Sequence, residues 1–93
     1  MERFSSALGV IELTNEREAH IFQFHPEVKI FRRHFPATLA EPDVMRRSRF
    51  DSKVLIFYRA LPQKKYLAIT VKTNHRNFIL TAYLTIKIKH LSL

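Results

Sequence analysis

Two runs constrain the fold more than any other part of this chain: "KYLAITVK" at residues 65–72 and "NFILTAYL" at 77–84, either side of "TNHR". A β-strand sends successive side chains to opposite faces, so folding one run back on the other tests a register. Asn tolerates positive φ, and Asn74-His75 is taken as a two-residue turn. Val71 then falls opposite Phe78, Ile69 opposite Leu80, and Leu67 opposite Ala82, all apolar and all on one face. The other face receives Lys72 with Asn77, Thr70 with Ile79, Ala68 with Thr81, and Tyr66 with Tyr83. A one-residue slip would mix the two sets, so the pattern predicts this register. A hairpin with one dry face needs a second layer to cover it.

The first half supplies that layer. Thr14 is placed to cap a helix whose first turn carries Glu16 and Glu18, where acids complement the helix dipole. Leu13, Arg17, His20, Ile21, Phe24 and Val28 recur at helical spacing, and Pro26 predicts a break at Phe24 to His25. A second helical segment spans residues 29–40, interrupted by Pro36. "DVMRRSRF" is a strand candidate, and "KVLIFYRA" at 53–60 is apolar almost throughout, as in a central strand. In the tail, Ile86 and Ile88 alternate with Lys87 and Lys89, as in a basic edge strand or a short helical end. Helices first and an antiparallel meander afterwards predict an α+β domain.

The 93 residues make one domain, 1–93, and eight Phe with three Tyr give it material for a modest core. No Cys is present, which excludes disulfides and thiolate metal sites. "MERFSSALGVIEL" lacks the apolar run of a signal peptide, and no stretch reaches the roughly 20 apolar residues of a bilayer span. A cytoplasmic protein without membrane association is expected.

Charge is unevenly placed. Residues 1–51 hold all eight acids and eight Lys and Arg, for a net of zero; residues 52–93 hold the other eight bases and no acid. The whole +8 excess therefore belongs to the second half, and such a field attracts polyanions.

Metal and nucleotide chemistry find little support. His20 and His25 are five apart, on different faces of a helix, and one Gly builds no phosphate loop. The residues instead suit phosphodiester chemistry on RNA, where the 2′-OH attacks its own phosphorus and the protein supplies a base, an acid and cations. No cofactor is expected. His20 is the candidate proton carrier, with Arg17 three residues before it on the same face and Glu16 able to orient its ring. Lys72 would stabilise the pentavalent phosphorus, Thr81 and Tyr83 would hold a phosphate oxygen, and Tyr66 would stack a base. Arg76, Lys64 and Lys65 add candidate RNA contacts. Each has a plainer reading. His20 would be a core histidine, Arg17 a surface arginine lying over its helix, and Tyr66 with Tyr83 a cross-strand pair. His34, His75 and His90 read as surface residues.

"LTNEREAHIFQFHPEV" (13–28), "LAEPDVMRRSRFD" (39–51) and "YLAITVKTNHRNFILTAYLTIKIK" (66–89) together resemble the small prokaryotic and phage-associated members of the barnase–EndoU–colicin–RelE-like nucleases. The resemblance covers most of the chain from Leu13 to Lys89. It implies N-terminal helices packed on a four-stranded antiparallel sheet. It also implies metal-independent RNA cleavage to a 2′,3′-cyclic phosphate, as in the toxin of a toxin–antitoxin pair. RNA (tRNA or mRNA) and an acidic antitoxin or immunity protein are the expected partners. Carried over by position, the catalytic set is Arg17, His20, His25, Lys72, Thr81 and Tyr83. The alternative is a non-catalytic module on the same fold that binds nucleic acid or an acidic partner.

Overall fold

A computed structural model describes residues 1–88. The chain opens on a β-hairpin, β1 (Glu2–Ser6) and β2 (Gly9–Leu13), and not on a helix. Its turn is closed by Ser6, whose hydroxyl accepts from the Leu8 N–H at 3.0 Å and donates to the Gly9 carbonyl at 2.8 Å. Gly9 has φ +96, a left-handed conformation that side chains rarely adopt. Then come α1 (Asn15–Phe24), a 3-10 helix (Pro26–His34), α2 (Phe35–Ala40), and the meander β3 (Val44–Arg47), β4 (Val54–Leu61), β5 (Lys65–Thr73) and β6 (Asn77–Thr85).

The strands form one six-stranded sheet in the order β1-β2-β6-β5-β4-β3. The fold class is α+β as expected, but the expected four antiparallel strands with helices at the N-terminus are corrected. The N-terminal hairpin adds two strands, and β2 pairs with β6 in parallel, Ile11 beside Asn77 and Glu12 beside Phe78. The hairpin's strands are short, and their alternation ("VIEL") spans too few residues to stand out by periodicity.

Helix signals fare better. Thr14 caps α1, its hydroxyl accepting from the Arg17 N–H at 3.1 Å. The break before Pro26 is present, and Pro36 opens α2 instead of kinking it, because the first turn of a helix does not need that N–H. The expected helix face is split: Ile21 and Val28 are buried, whereas His20 is exposed and Phe24 is 62% exposed. The tail shows no strand over residues 86–88; Lys89 and His90 lie outside the described residues.

The β5–β6 register differs from the expected one. The turn takes three residues, 74–76, so Thr73 pairs with Asn77 and Val71 with Ile79. A bulge then skips Leu80, and beyond it Thr70 faces Thr81, Ile69 faces Ala82 and Ala68 faces Tyr83. The turn flips the face parity of β6 and the bulge flips it back, so the outer pairs keep their apolar face. Thr70 repairs the ladder there, accepting from the Thr81 N–H at 3.1 Å and donating to the Thr81 carbonyl at 3.3 Å. Tyr66 consequently lies opposite Thr85 and not Tyr83.

Both sheet faces are covered. On one, Phe57, Leu67, Ile69, Val71, Ile79 and Ala82 join Ile11, Ile21, Val28, Phe35 and Leu39 in the main core. On the other, Ile56, Tyr58 and Ala68 pack with Val44, Tyr66, Tyr83 and Ile88. β4 is apolar almost throughout because it faces both layers.

Arg32 binds the helices to the hairpin. It pairs with Glu18 of α1 and Glu2 of β1, and its guanidinium lies over the rings of Phe4 (5.3 Å) and Phe35 (4.8 Å). Burial by itself would lower its pKa, but the hydrogen bonds to Glu18 and Glu2 outweigh that and raise it. Arg32→Ala is expected to cost about 2 kcal/mol, because it strands two carboxylates and uncovers two rings. Arg32→Lys should recover only part, lacking the planar fork. Urea unfolding checks this; midpoints equal to wild type would contradict it.

Candidate functional site

β2 ends beside the start of β6, and Thr14 at once turns the chain into α1. The first turn of α1 therefore stands against the β5–β6 turn, with a groove of about 450 Å³ between them. Glu12, Thr14 and Arg17 line it on one side, and Asn74, His75, Arg76, Phe78 and Ile79 on the other. A second hollow of about 350 Å³ adjoins it, sharing Thr14 and Arg17 and adding Glu16 and His20.

Arg17 is half-buried between the two hollows, and no side chain among the described residues bonds its guanidinium. His20 is exposed, its ring 4.7 Å from that of Phe24, so it is not a core histidine. Glu16 lines the same hollow without a hydrogen bond to His20 among the described contacts. Glu12 holds Arg76 at 3.7 Å and Arg3 at 3.4 Å, so its negative charge in the groove is met by two arginines.

Of the expected site residues, the structure brings together Arg17, His20 and Arg76. His25 is at the far end of α1, about 12 Å along the axis from Arg17. It pairs with Glu27 at 3.5 Å, and its ring lies 6.1 Å from that of Tyr83. Tyr83 itself is five residues along β6 from Phe78, roughly 16 Å. It hydrogen-bonds Tyr58, which is buried and meets Tyr66 edge-on at 6.4 Å. Thr81 is tied to Thr70 at the bulge. Lys72 is bound by Asp51 of the β3–β4 loop; its ammonium, with the Lys53 N–H, holds the Asp51 carboxyl below its usual range. Lys64, Lys65 and Tyr66 lie at the opposite end of β5, roughly 25 Å from the turn. The length of β5 and β6 separates Tyr83, Lys64, Lys65 and Tyr66 from the groove, and the length of α1 separates His25, whereas Lys72 lies opposite Phe78 but is held by Asp51.

Two groove residues escaped the sequence reading. His75 read as surface, and it is exposed, but the three-residue turn sets it at the mouth of the groove. Glu12 could have been found only by recognising β2. His34, also read as surface, is half-buried, with its ring 5.9 Å from that of Phe31. Among the described residues no three His, Asp or Glu side chains are grouped to hold a metal ion, and no helix is long and apolar enough to cross a membrane.

Fold and site together define an α+β protein with an arginine- and histidine-lined groove at one end of a mixed sheet. Compared with models of known families, with curated proteins and with solved structures, the chain matches none.

Tyr83 is pushed up to about 12, first by burial and then by Tyr58. Such a phenol keeps its proton at neutral pH and is no proton carrier there. Its folded value lies above the ordinary value of about 10, so the native state holds the proton more tightly than the unfolded chain. The stability this carries is complete below pH about 10 and is lost as pH rises toward 12. Absorbance titration of the native protein should show one phenol ionising near pH 12 that Tyr83→Phe removes. An unaltered curve in that variant would contradict the assignment.

Proposed function

We propose that the protein is a metal-independent endoribonuclease whose site is the groove around Arg17. The observation that carries this is the placing of a half-buried guanidinium without a side-chain partner between two imidazoles, His20 on α1 and His75 on the β5–β6 turn. A neutral imidazole takes the proton of the attacking 2′-OH, and an imidazolium gives a proton to the departing 5′-oxygen. Arg17 and Arg76 offset the charge on the phosphorane oxygens. The product is a 2′,3′-cyclic phosphate. Lys72, Thr81, Tyr83 and His25 have structural roles in this reading, since each is engaged away from the groove.

The uneven charge and the motif resemblance to the barnase–EndoU–colicin–RelE-like nucleases support the reading. In a toxin–antitoxin pair the partner would be an acidic protein that covers this groove, in the cytoplasm. A second reading, RNA binding without cleavage, draws on one observation: among the described residues no carboxylate orients either imidazole.

Purified protein incubated with tRNA or bulk RNA in EDTA should yield 2′,3′-cyclic phosphate ends. His20→Ala and His75→Ala are each expected to lose about 10²- to 10⁴-fold in rate. Tyr83→Phe and Lys72→Ala should retain most activity. Binding without cyclic phosphate would select the second reading, and cleavage undiminished by both histidine changes would sink the site.

A further inference from the structure

Among the described residues the most solvent-exposed large apolar side chain is Phe50, 87% exposed in the loop between β3 and β4. An aromatic ring normally folds back onto its own protein, and this one stands in water on a hydrogen-bonded loop. Phe50 N–H donates to the Ser48 hydroxyl at 3.2 Å, and Lys53 N–H donates to the Asp51 carboxylate at 2.9 Å. Ser48 N–H reaches the Val54 carbonyl at 2.8 Å, and Val54 N–H reaches the Asp51 carbonyl at 3.0 Å. Arg47 donates to the Ser52 carbonyl, Lys72 clamps Asp51 from β5, and the Thr73 hydroxyl donates to the Lys53 carbonyl at 2.8 Å. The loop is braced from within and from β5, with its aromatic ring outward.

One cation contacts the ring, the Arg49 guanidinium at 5.7 Å from its centroid. Arg47 and Lys53, both exposed, lie three residues to either side in the chain. The one carboxylate of the loop, Asp51, is neutralised by Lys72. The loop also leaves the same end of the sheet as the groove, since Val54 pairs with Lys72 and Thr73 with Asn77. Two strand spacings, about 10 Å, separate the β3–β4 loop from the β5–β6 turn.

We infer that the β3–β4 loop is a stacking platform for single-stranded RNA, with Phe50 taking a base on its open face and Arg49, Arg47 and Lys53 taking the adjoining phosphates. A duplex buries its base faces and offers nothing to the ring, so the platform selects unpaired strands. A bilayer would ask for several apolar side chains, and this loop presents one among cations. The inference rests on the reading of RNA as the ligand and not on cleavage.

The chain contains no tryptophan, so Phe50→Trp places a single reporter at the platform. A short single-stranded RNA, with a non-cleavable 2′-O-methyl backbone, should quench its emission, and the same sequence as a duplex should not. By anisotropy with that RNA, Phe50→Ala is expected to bind about 10- to 100-fold more weakly than wild type, and Phe50→Tyr within about threefold. Arg49→Ala should weaken binding and reduce its salt dependence. Melting temperatures should stay at the wild-type value, because the ring contacts solvent. Equal binding by Phe50→Ala and wild type, or equal quenching by duplex, would overturn the platform. So would a blue shift with phosphatidylserine vesicles in place of quenching by RNA. Intact Phe50-dependent binding in a protein that releases no cyclic phosphate would sink the proposed cleavage and leave the platform standing. Cleavage that persists while Phe50→Ala binds RNA as tightly as wild type would do the reverse.

Discussion

The tie formed by Arg32 holds the architecture in place. One guanidinium in the 3-10 helix joins Glu2 of β1 to Glu18 of α1 and covers Phe4 and Phe35. The N-terminal hairpin has few residues with which to bury itself, and β2 meets β6 through only a short parallel pairing. Phe4, Ile11 and Leu13 seat the hairpin in the main core, and Arg32 adds a polar tie between it and α1. Their junction, Glu12 to Arg17, is one wall of the groove. A part-buried ion pair of this kind gains from the planar geometry of arginine, whose guanidinium packs on the two rings.

The chemistry of the molecule divides between its two sheet ends and its two faces. The tyrosines fill the face opposite the helices, where Tyr58 and Tyr83 bond each other in a desolvated setting. That layer stabilises the sheet. Arg47, Arg49, Lys53 and Arg76 stand with His75 at the end from which the β3–β4 loop, the β5–β6 turn and the first turn of α1 emerge. Folding also redraws the charge map. Arg46, Arg47 and Arg49 belong to the electrically neutral half of the sequence, yet they stand next to Lys53 and one strand from Lys72.

Much of the fold was legible in particular residues. The α1 cap at Thr14, its break before Pro26, and the strand character of residues 54–61, 65–73 and 77–85 all follow from local rules of capping, proline geometry and alternation. The N-terminal hairpin was not legible, because two five-residue strands give little periodicity. The β5–β6 register was misread because a three-residue turn and a bulge at Leu80 together shift the outer pairs by two residues, keeping their apolar face while changing every partner: Ile69 meets Ala82 and not Leu80, and Tyr66 meets Thr85 and not Tyr83. Within the candidate site, Arg17 and His20 were readable from helical spacing and Arg76 from charge. His75 and Glu12 were not, since each reaches the groove from an element whose position depends on that register or on that hairpin.

By itself the sequence determined the α+β class, the cap and break of α1, the burial of β4 between two paired strands, and the concentration of positive charge after Asp51. These are local or additive properties, written in spacing, propensity and composition. Tertiary structure alone decided which of the many candidate side chains share one cavity. Lys72 is claimed by Asp51, Tyr83 by Tyr58 and Thr81 by Thr70, while Arg17 comes to lie between His20 and His75. Proximity across strands and helices depends on register, on a parallel pairing between distant strands and on one arginine tie, and none of these is expressed in the spacing of neighbouring residues.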